Sequence, residues 1–149
     1  MPADSHRPQS GILRWRDVDV REYKRDGTAA FRDVTRQVLF DDPALACELR
    51  YFEVGAGGHT TLERHLHAHA VVIEHGRGRV LVGERIFAVA PHDLVQIPPS
   101  TWHQFRADAD APLGFLCMVN AERDRPELPS AAELARLRTM PAVGEFILA

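Results

Sequence analysis

AVVIEHGRGRVLVGERIFAVAPHDLVQIPPSTWHQFRA, residues 70–107, decides the fold. It alternates short runs of β-formers with turn residues. AVVI (70–73) reads as a buried strand. GRG (76–78) punctuates, and RVLVG and RIFAV then flank Gly83-Glu84 as a hairpin. APHD is a turn, LVQI (94–97) a strand, PPS a turn and HQFRA (103–107) a strand. The same rhythm extends outward. LGFLCMV (113–119) follows the turn-rich DADAP, and ACELRYFEV (46–54) is closed by GAGG (55–58). TRQVLF (35–40) precedes DDP, HTTLERH (59–65) alternates, and ILRWRDVDVREY holds an early strand. About nine short strands with no βαβ rhythm predict an all-β sandwich or barrel.

The ends differ. Residues 1–11 are polar and read as a flexible N-terminal tail. Residues 12–129 form the barrel domain, and 130–149 a C-terminal appendage. Ser130 and Glu133 stand in capping-box register before good helix formers, which predicts a helix at 130–138 limited by Pro141. The apolar EFILA at 145–149 is expected to pack on the barrel or on a partner subunit.

A chain of 149 residues suits one domain with a real core. The net charge of −3 and the absence of a basic run argue against nucleic-acid binding. No apolar run reaches the roughly 20 residues of a membrane span. The N-terminus has no apolar signal core, and Cys47 and Cys117 are the only cysteines. A cytoplasmic location follows as the expectation, with both thiols reduced and packed as small apolar residues.

ERHLHAH (63–69) carries the chemistry. Imidazole and carboxylate groups ligate first-row transition metals. In a strand, residues two apart share a face at about 6.6 Å, so Glu63/His65, His65/His67 and His67/His69 each qualify as a pair. Residues six apart are separated by about 20 Å, whereas ligand bonds are about 2 Å long. Glu63 and His69 share an ion only if the chain reverses near Leu66–Ala68, where no Gly or Pro favours a turn. The bland reading is a solvated strand face bearing three histidines. A further His103 in PPSTWHQF weighs against it. His6, His59, His75 and His92 lack partners at ligand spacing and read as surface or turn residues.

Over residues 46–119 these features resemble the cupin family. Its first motif runs Gly, five residues, His-x-His, three or four residues, Glu, six residues, Gly; its second is Pro-x-Gly-x-x-His. Five residues after Gly57 comes Glu63, so Glu63-x-His65 takes the His-x-His positions. His69 takes the Glu position, and Gly76 closes the motif. Pro98-Pro99-Ser100-Thr101-Trp102-His103 matches the second motif, with Ser100 in place of glycine. The rival register, with His65-x-His67 in the His-x-His positions, puts Val71 or Val72 at the Glu position and breaks both glycine spacings.

The resemblance therefore implies a double-stranded β-helix (jelly-roll barrel) with one divalent transition metal on Glu63, His65, His69 and His103. Fe2+ is favoured, and Mn2+, Ni2+, Cu2+ and Zn2+ are compatible with the donors. The family's motif spans two strands joined by a loop, which supplies the missing reversal and places His67 in that loop as a supporting or acid/base group. The implied activity is a dioxygenase acting on a small enolisable or carboxylate-bearing substrate that chelates the metal. The alternatives are a Lewis-acid isomerase or lyase, a metal-independent isomerase and a non-enzymatic ligand-binding cupin. Arg50 is a candidate carboxylate clamp, and Gln104 and Gln96 are candidate hydrogen-bonding groups. Trp102, Phe105 and Phe115 are candidates for an aromatic wall, with core packing the simpler reading. A homodimer is the family expectation.

Overall fold

The computed structural model describes residues 6–22 and 31–149. Of the expected N-terminal tail, residues 1–5 lie outside the described residues. Gln9–Gly11 (β1) instead pairs with Arg14–Trp15 (β2) as a short ribbon. Arg21–Glu22 (β3) lies beside Arg32–Asp41 (β4). Then follow Cys47–His59 (β5), His69–Gly76 (β6), Gly78–Val82 (β7), Arg85–Val89 (β8), Leu94–Ile97 (β9), His103–Ala107 (β10) and Leu113–Asn120 (β11). They form one curled antiparallel sheet in the order β8-β7-β10-β5-β11-β6-β9, with β4 on β5. The all-β barrel expectation holds.

Alternation builds the strands. In β9, Val95 and Ile97 are buried while Leu94 and Gln96 are exposed, the period of two that places one face on the core. Residues 103–105 of β10 are buried without alternation. This strand is covered on both sides, by the barrel interior and by the C-terminal helices. Two glycines that anchor the ERHLHAH register adopt left-handed backbone, Gly57 at φ 73° and Gly76 at φ 74°. A Cβ on Gly76 would lie 1.7 Å from the Pro112 carbonyl oxygen, so this turn admits no side chain. Ser100, at the position where the family motif has glycine, also adopts a left-handed φ, 57°.

Register aligns side chains into rows across the sheet. Arg36, Phe52, Phe115 and Ile73 are successive partners on β4, β5, β11 and β6. Val38, Arg50, Cys117 and Val71 form the next row of the same face. Phe52, Ile73, Phe105, Phe115 and their neighbours make the main core. At roughly 1.5–3 kcal/mol per fully buried large side chain, this cluster carries most of the favourable burial.

Two predicted boundaries move. β5 runs on through the GAGG segment to His59, which is paired on both sides, by Arg32 and Arg106. After His59 the rest of HTTLERH, 60–65, is not a strand; Glu63 and Arg64 make single bridges to His103 and Glu127. At the C-terminus, Ala131–Thr139 (α1) carries the predicted capping box of Ser130 and Glu133. Pro141 ends that helix and also begins a second one, Pro141–Phe146 (α2), because a missing N–H costs nothing in the first helical turn. Phe146 and Ile147 bury against Leu62, Leu81 and Trp102, so EFILA packs on its own barrel.

Candidate metal centre

The reversal inside ERHLHAH occurs at Leu66–His67, and tertiary hydrogen bonds impose it. Glu63 exchanges backbone hydrogen bonds with His103, and Arg64 with Glu127. His65 offers its carbonyl to the Ser100 amide. Asp124 then accepts from the Leu66 amide through Oδ2 at 2.9 Å. The chain bends and restarts as β6 at His69.

The bend turns the imidazoles inward. One donor atom from each of His65, His69 and His103 lies within 4.8 Å of the other two. Their ring centroids are 4.6 Å (His65–His69), 5.2 Å (His65–His103) and 5.3 Å (His69–His103) apart. Glu63 is buried beside them, with Oε1 3.3 Å from His65 Nε2 but not aligned as a hydrogen bond. His65, His67 and Asp124 make a second, overlapping group of donors.

The protonation chemistry suits a metal. The Thr101 carbonyl, 3.0 Å from His103 Nδ1, holds the proton there and leaves Nε2 as a lone pair. Burial, then the neighbouring imidazoles of His103, His65 and His67, pushes the His69 pKa from 6.5 down to about 2. His69 is therefore neutral, the form that binds metal. Both ring nitrogens of His65 and Nε2 of His69 are buried without a hydrogen-bond partner. Each such group costs about 1–3 kcal/mol unless something pairs with it. A divalent cation is a partner that satisfies several of these nitrogens at once, so the residues fit the metal that the fold implies.

These histidines line a cavity of about 270 Å³, near the lower end of small-ligand pockets at roughly 300 Å³. Phe52, Phe105 and Phe115 stack along one wall. His67 lies in the bend, and its ring is buried and stacks on His69 at 4.8 Å. Asp124 Oδ1 accepts a hydrogen bond from His67 Nδ1 at 2.7 Å, and His67 Nε2 is left buried and unpartnered. Burial outweighs that carboxylate and lowers the His67 pKa below the ordinary imidazole value. Arg50 is buried, lines the cavity and lies over Phe52 at 4.9 Å. Its Nη2 donates to Cys117 Sγ at 3.7 Å.

Gln104, expected to orient a ligand, is placed elsewhere. Strand alternation turns it away from His103, toward the C-terminal helices. Its Nε2 donates to the Thr60 carbonyl at 2.9 Å and the Leu148 carbonyl at 2.7 Å, and its Oε1 accepts from the Leu148 amide at 2.9 Å. Trp102 also leaves the cavity and packs under α1 and α2, with the Arg64 guanidinium 4.3 Å from its ring centroid. Gln96 is exposed. Sequence reasoning missed Arg36, Phe52, Arg123 and Asp124 and took Cys117 as filler; all five line the cavity. Period-two alternation from Arg50 gives Phe52, but nothing local marks Arg123 or Asp124.

Among the described residues no helix is long and apolar enough to cross a membrane. The cupin domain model matches residues 50–119. A protein of Rhodospirillum rubrum named 1-methylthio-D-xylulose 5-phosphate methylsulfurylase is 61% identical over 141 residues, covering 95% of this chain and 90% of that protein. The crystal structure of a cupin 2 conserved barrel domain protein from Rhodopseudomonas palustris superposes with a TM-score of 0.93 at 57% identity, covering 97% of this chain and 100% of that one. A cupin-2 domain from Rhodospirillum rubrum gives a TM-score of 0.86 at 60% identity, covering 95% and 94% of the two chains. With its glycine-anchored histidine cluster inside a curled antiparallel barrel, and with these relatives, the chain belongs to the cupin superfamily.

Proposed function

We propose that this protein is a metal-dependent cupin enzyme that removes the methylthio group from a 1-methylthio ketose phosphate. The observation that carries this reading is the thiol of Cys117 on the wall of the cavity that holds the three imidazoles. Its Sγ lies 3.6 Å from His69 Nδ1. The relative at 61% identity is named for the same kind of substrate, which displaces the dioxygenase expectation. His65, His69 and His103, with Glu63 as a fourth donor, are the ligands in this proposal. A divalent metal held there would supply Lewis acidity that polarises a ketose carbonyl, with no change of oxidation state.

The residues around it supply the rest. Burial raises the Cys117 pKa, and the Arg50 guanidinium donating to Sγ works against that rise. The Cys117 thiolate attacks the methylthio sulfur, and a sulfur–sulfur bond forms as the C1–S bond breaks. The electron pair passes from C1 toward the carbonyl, and C1 then takes a proton. The ketose carbon is reduced and the cysteine oxidised to a methyl disulfide. A second, small-molecule thiol releases it as a mixed disulfide. His67 lines the same cavity, with Nδ1 fixed on Asp124 and Nε2 buried without a hydrogen-bond partner, and in this proposal Nε2 takes up and returns the proton delivered to C1.

The test is incubation of metal-loaded protein with 1-methylthio-D-xylulose 5-phosphate, with and without dithiothreitol. The 1-deoxy ketose phosphate should form, and without the thiol a methylsulfanyl adduct should appear on Cys117 by mass spectrometry. Cys117→Ser should form neither. Absence of product from the wild type would sink the reading.

A further inference from the structure

Three arginines line the cavity, Arg36 on β4, Arg50 on β5 and Arg123 in the segment after β11. The sheet register puts Arg36 beside Phe52, in the row next to that of Arg50. Glu48 links the other two, with Oε1 3.7 Å from Arg50 Nε and 3.4 Å from Arg123 Nη2. One carboxylate oxygen thus holds two guanidinium groups beside each other without neutralising both. Arg123 is braced further, its Nη1 donating to the carbonyls of Asn120 at 3.1 Å and Ala121 at 3.2 Å.

Arg50 is nine-tenths buried, yet its Nε has no hydrogen-bond partner. Among the described residues its side-chain hydrogen bond goes to a sulfur. Glu48 is its charged partner but is shared with Arg123 and not aligned on Nε, so a further anion would add a hydrogen-bonded pairing that Glu48 does not supply. The charges agree. Three arginines on the lining face Glu63 and Asp124, with Glu48 behind them, so the carboxylates only balance the guanidiniums and a cation held by the imidazoles would tip the site positive. The planar forks of arginine suit phosphate oxygens better than they suit a single hydroxyl.

We infer that Arg36, Arg50 and Arg123 form a phosphate-binding end of this cavity, which fixes a sugar phosphate by its dianion while the imidazole end engages its oxygens. The inference rests on the ketose phosphate reading above and adds the residues that select the phosphorylated substrate. Arg50 serves both ends, since it also touches Cys117. Glu48 is a positioning residue that sets the spacing of two guanidiniums.

The experiment is calorimetric titration of the metal-loaded protein with D-xylulose 5-phosphate and with D-xylulose, neither of which carries a methylthio group. The phosphorylated sugar should bind far more tightly. Arg36→Gln and Arg123→Gln should each weaken its binding about 10- to 100-fold, the loss expected for a charged hydrogen bond, and leave metal content unchanged. Arg125→Gln, two residues beyond Arg123 and outside the cavity, should bind like the wild type. Equal affinity for the two sugars, or undiminished phosphate-sugar binding in both arginine variants, would overturn the inference. Arginine-dependent binding without turnover of the methylthio sugar would leave the phosphate site standing and remove the proposed reaction. Turnover with unchanged KM in both variants would do the reverse.

Discussion

His103 and Gln104 are neighbours on β10, and both are buried. They face opposite layers, and the two layers treat polar groups in opposite ways. On the Gln104 side every role of the side-chain amide is filled, by Thr60 and by both backbone groups of Leu148. On the His103 side, nitrogens of His65, His67 and His69 are buried with nothing to bind. A satisfied buried amide holds two parts of a fold together. A set of unsatisfied imidazoles lowers stability and persists because a ligand completes it.

The largest effect should come from breaking the unsatisfied side. His65→Leu removes two orphaned nitrogens at similar volume. It should abolish stoichiometric metal in elemental analysis and cut turnover by about 10³-fold or more, the several kcal/mol a Lewis acid contributes. The melting temperature of the metal-free protein should hold or rise, and a sharp fall would mean that these imidazoles are structural. Next, Glu63→Ala should weaken metal binding about 10- to 100-fold, measured by competition with a chelator, while His67→Ala leaves metal in place. The opposite ranking would restore the His65-x-His67 register.

The satisfied side should respond the other way. Gln104→Ala should cost about 1–3 kcal/mol in urea denaturation, since it takes the partner from both Leu148 backbone groups while Thr60 keeps His59, with metal affinity intact. Acid separates the two layers as well. His69 has a depressed pKa, so its neutral form stabilises the metal-free fold above the unfolded value of 6.5, and that contribution is lost progressively as pH falls from there toward 2. The urea midpoint of the metal-free protein should therefore drop between pH 7 and pH 5; a flat profile would argue against the burial that lowers this pKa. The smallest effect is expected at Ser100→Gly. Relieving a left-handed serine should add up to about 1 kcal/mol, read as a raised melting temperature.

Much of the barrel was legible because its signals are local. LVQI and HQFRA are strands with the predicted ends, since Asp93, the Pro98-Pro99 turn and Asp108 mark their limits. The spacing from Gly57 to Gly76 set the register because both glycines occupy backbone that other residues enter at a cost. Other features depend on partners far along the chain. GAGG looks like a stop, yet its strand continues to a residue held by neighbours on both sides. Pro141 looks like an end and is also a beginning. Gln104 looked functional through its place beside His103, and strand alternation separates the two. Cys117 looked like packing in an apolar run; only the register that sets it beside Arg50 and Val71 brings it to the cavity.

The Leu66–Asp124 hydrogen bond also has a consequence for the order in which the molecule matures. Asp124 lies 58 positions after Leu66. During synthesis the chain carries His65, His67 and His69 well before it carries the carboxylate that bends them toward one another. Glu127, the backbone partner of Arg64, arrives later still. A ribosome-bound chain truncated between His103 and Asp124 would hold every imidazole of the site and lack the clasp that shapes it. The full ligand geometry thus calls on residues that are synthesised only after the last strand.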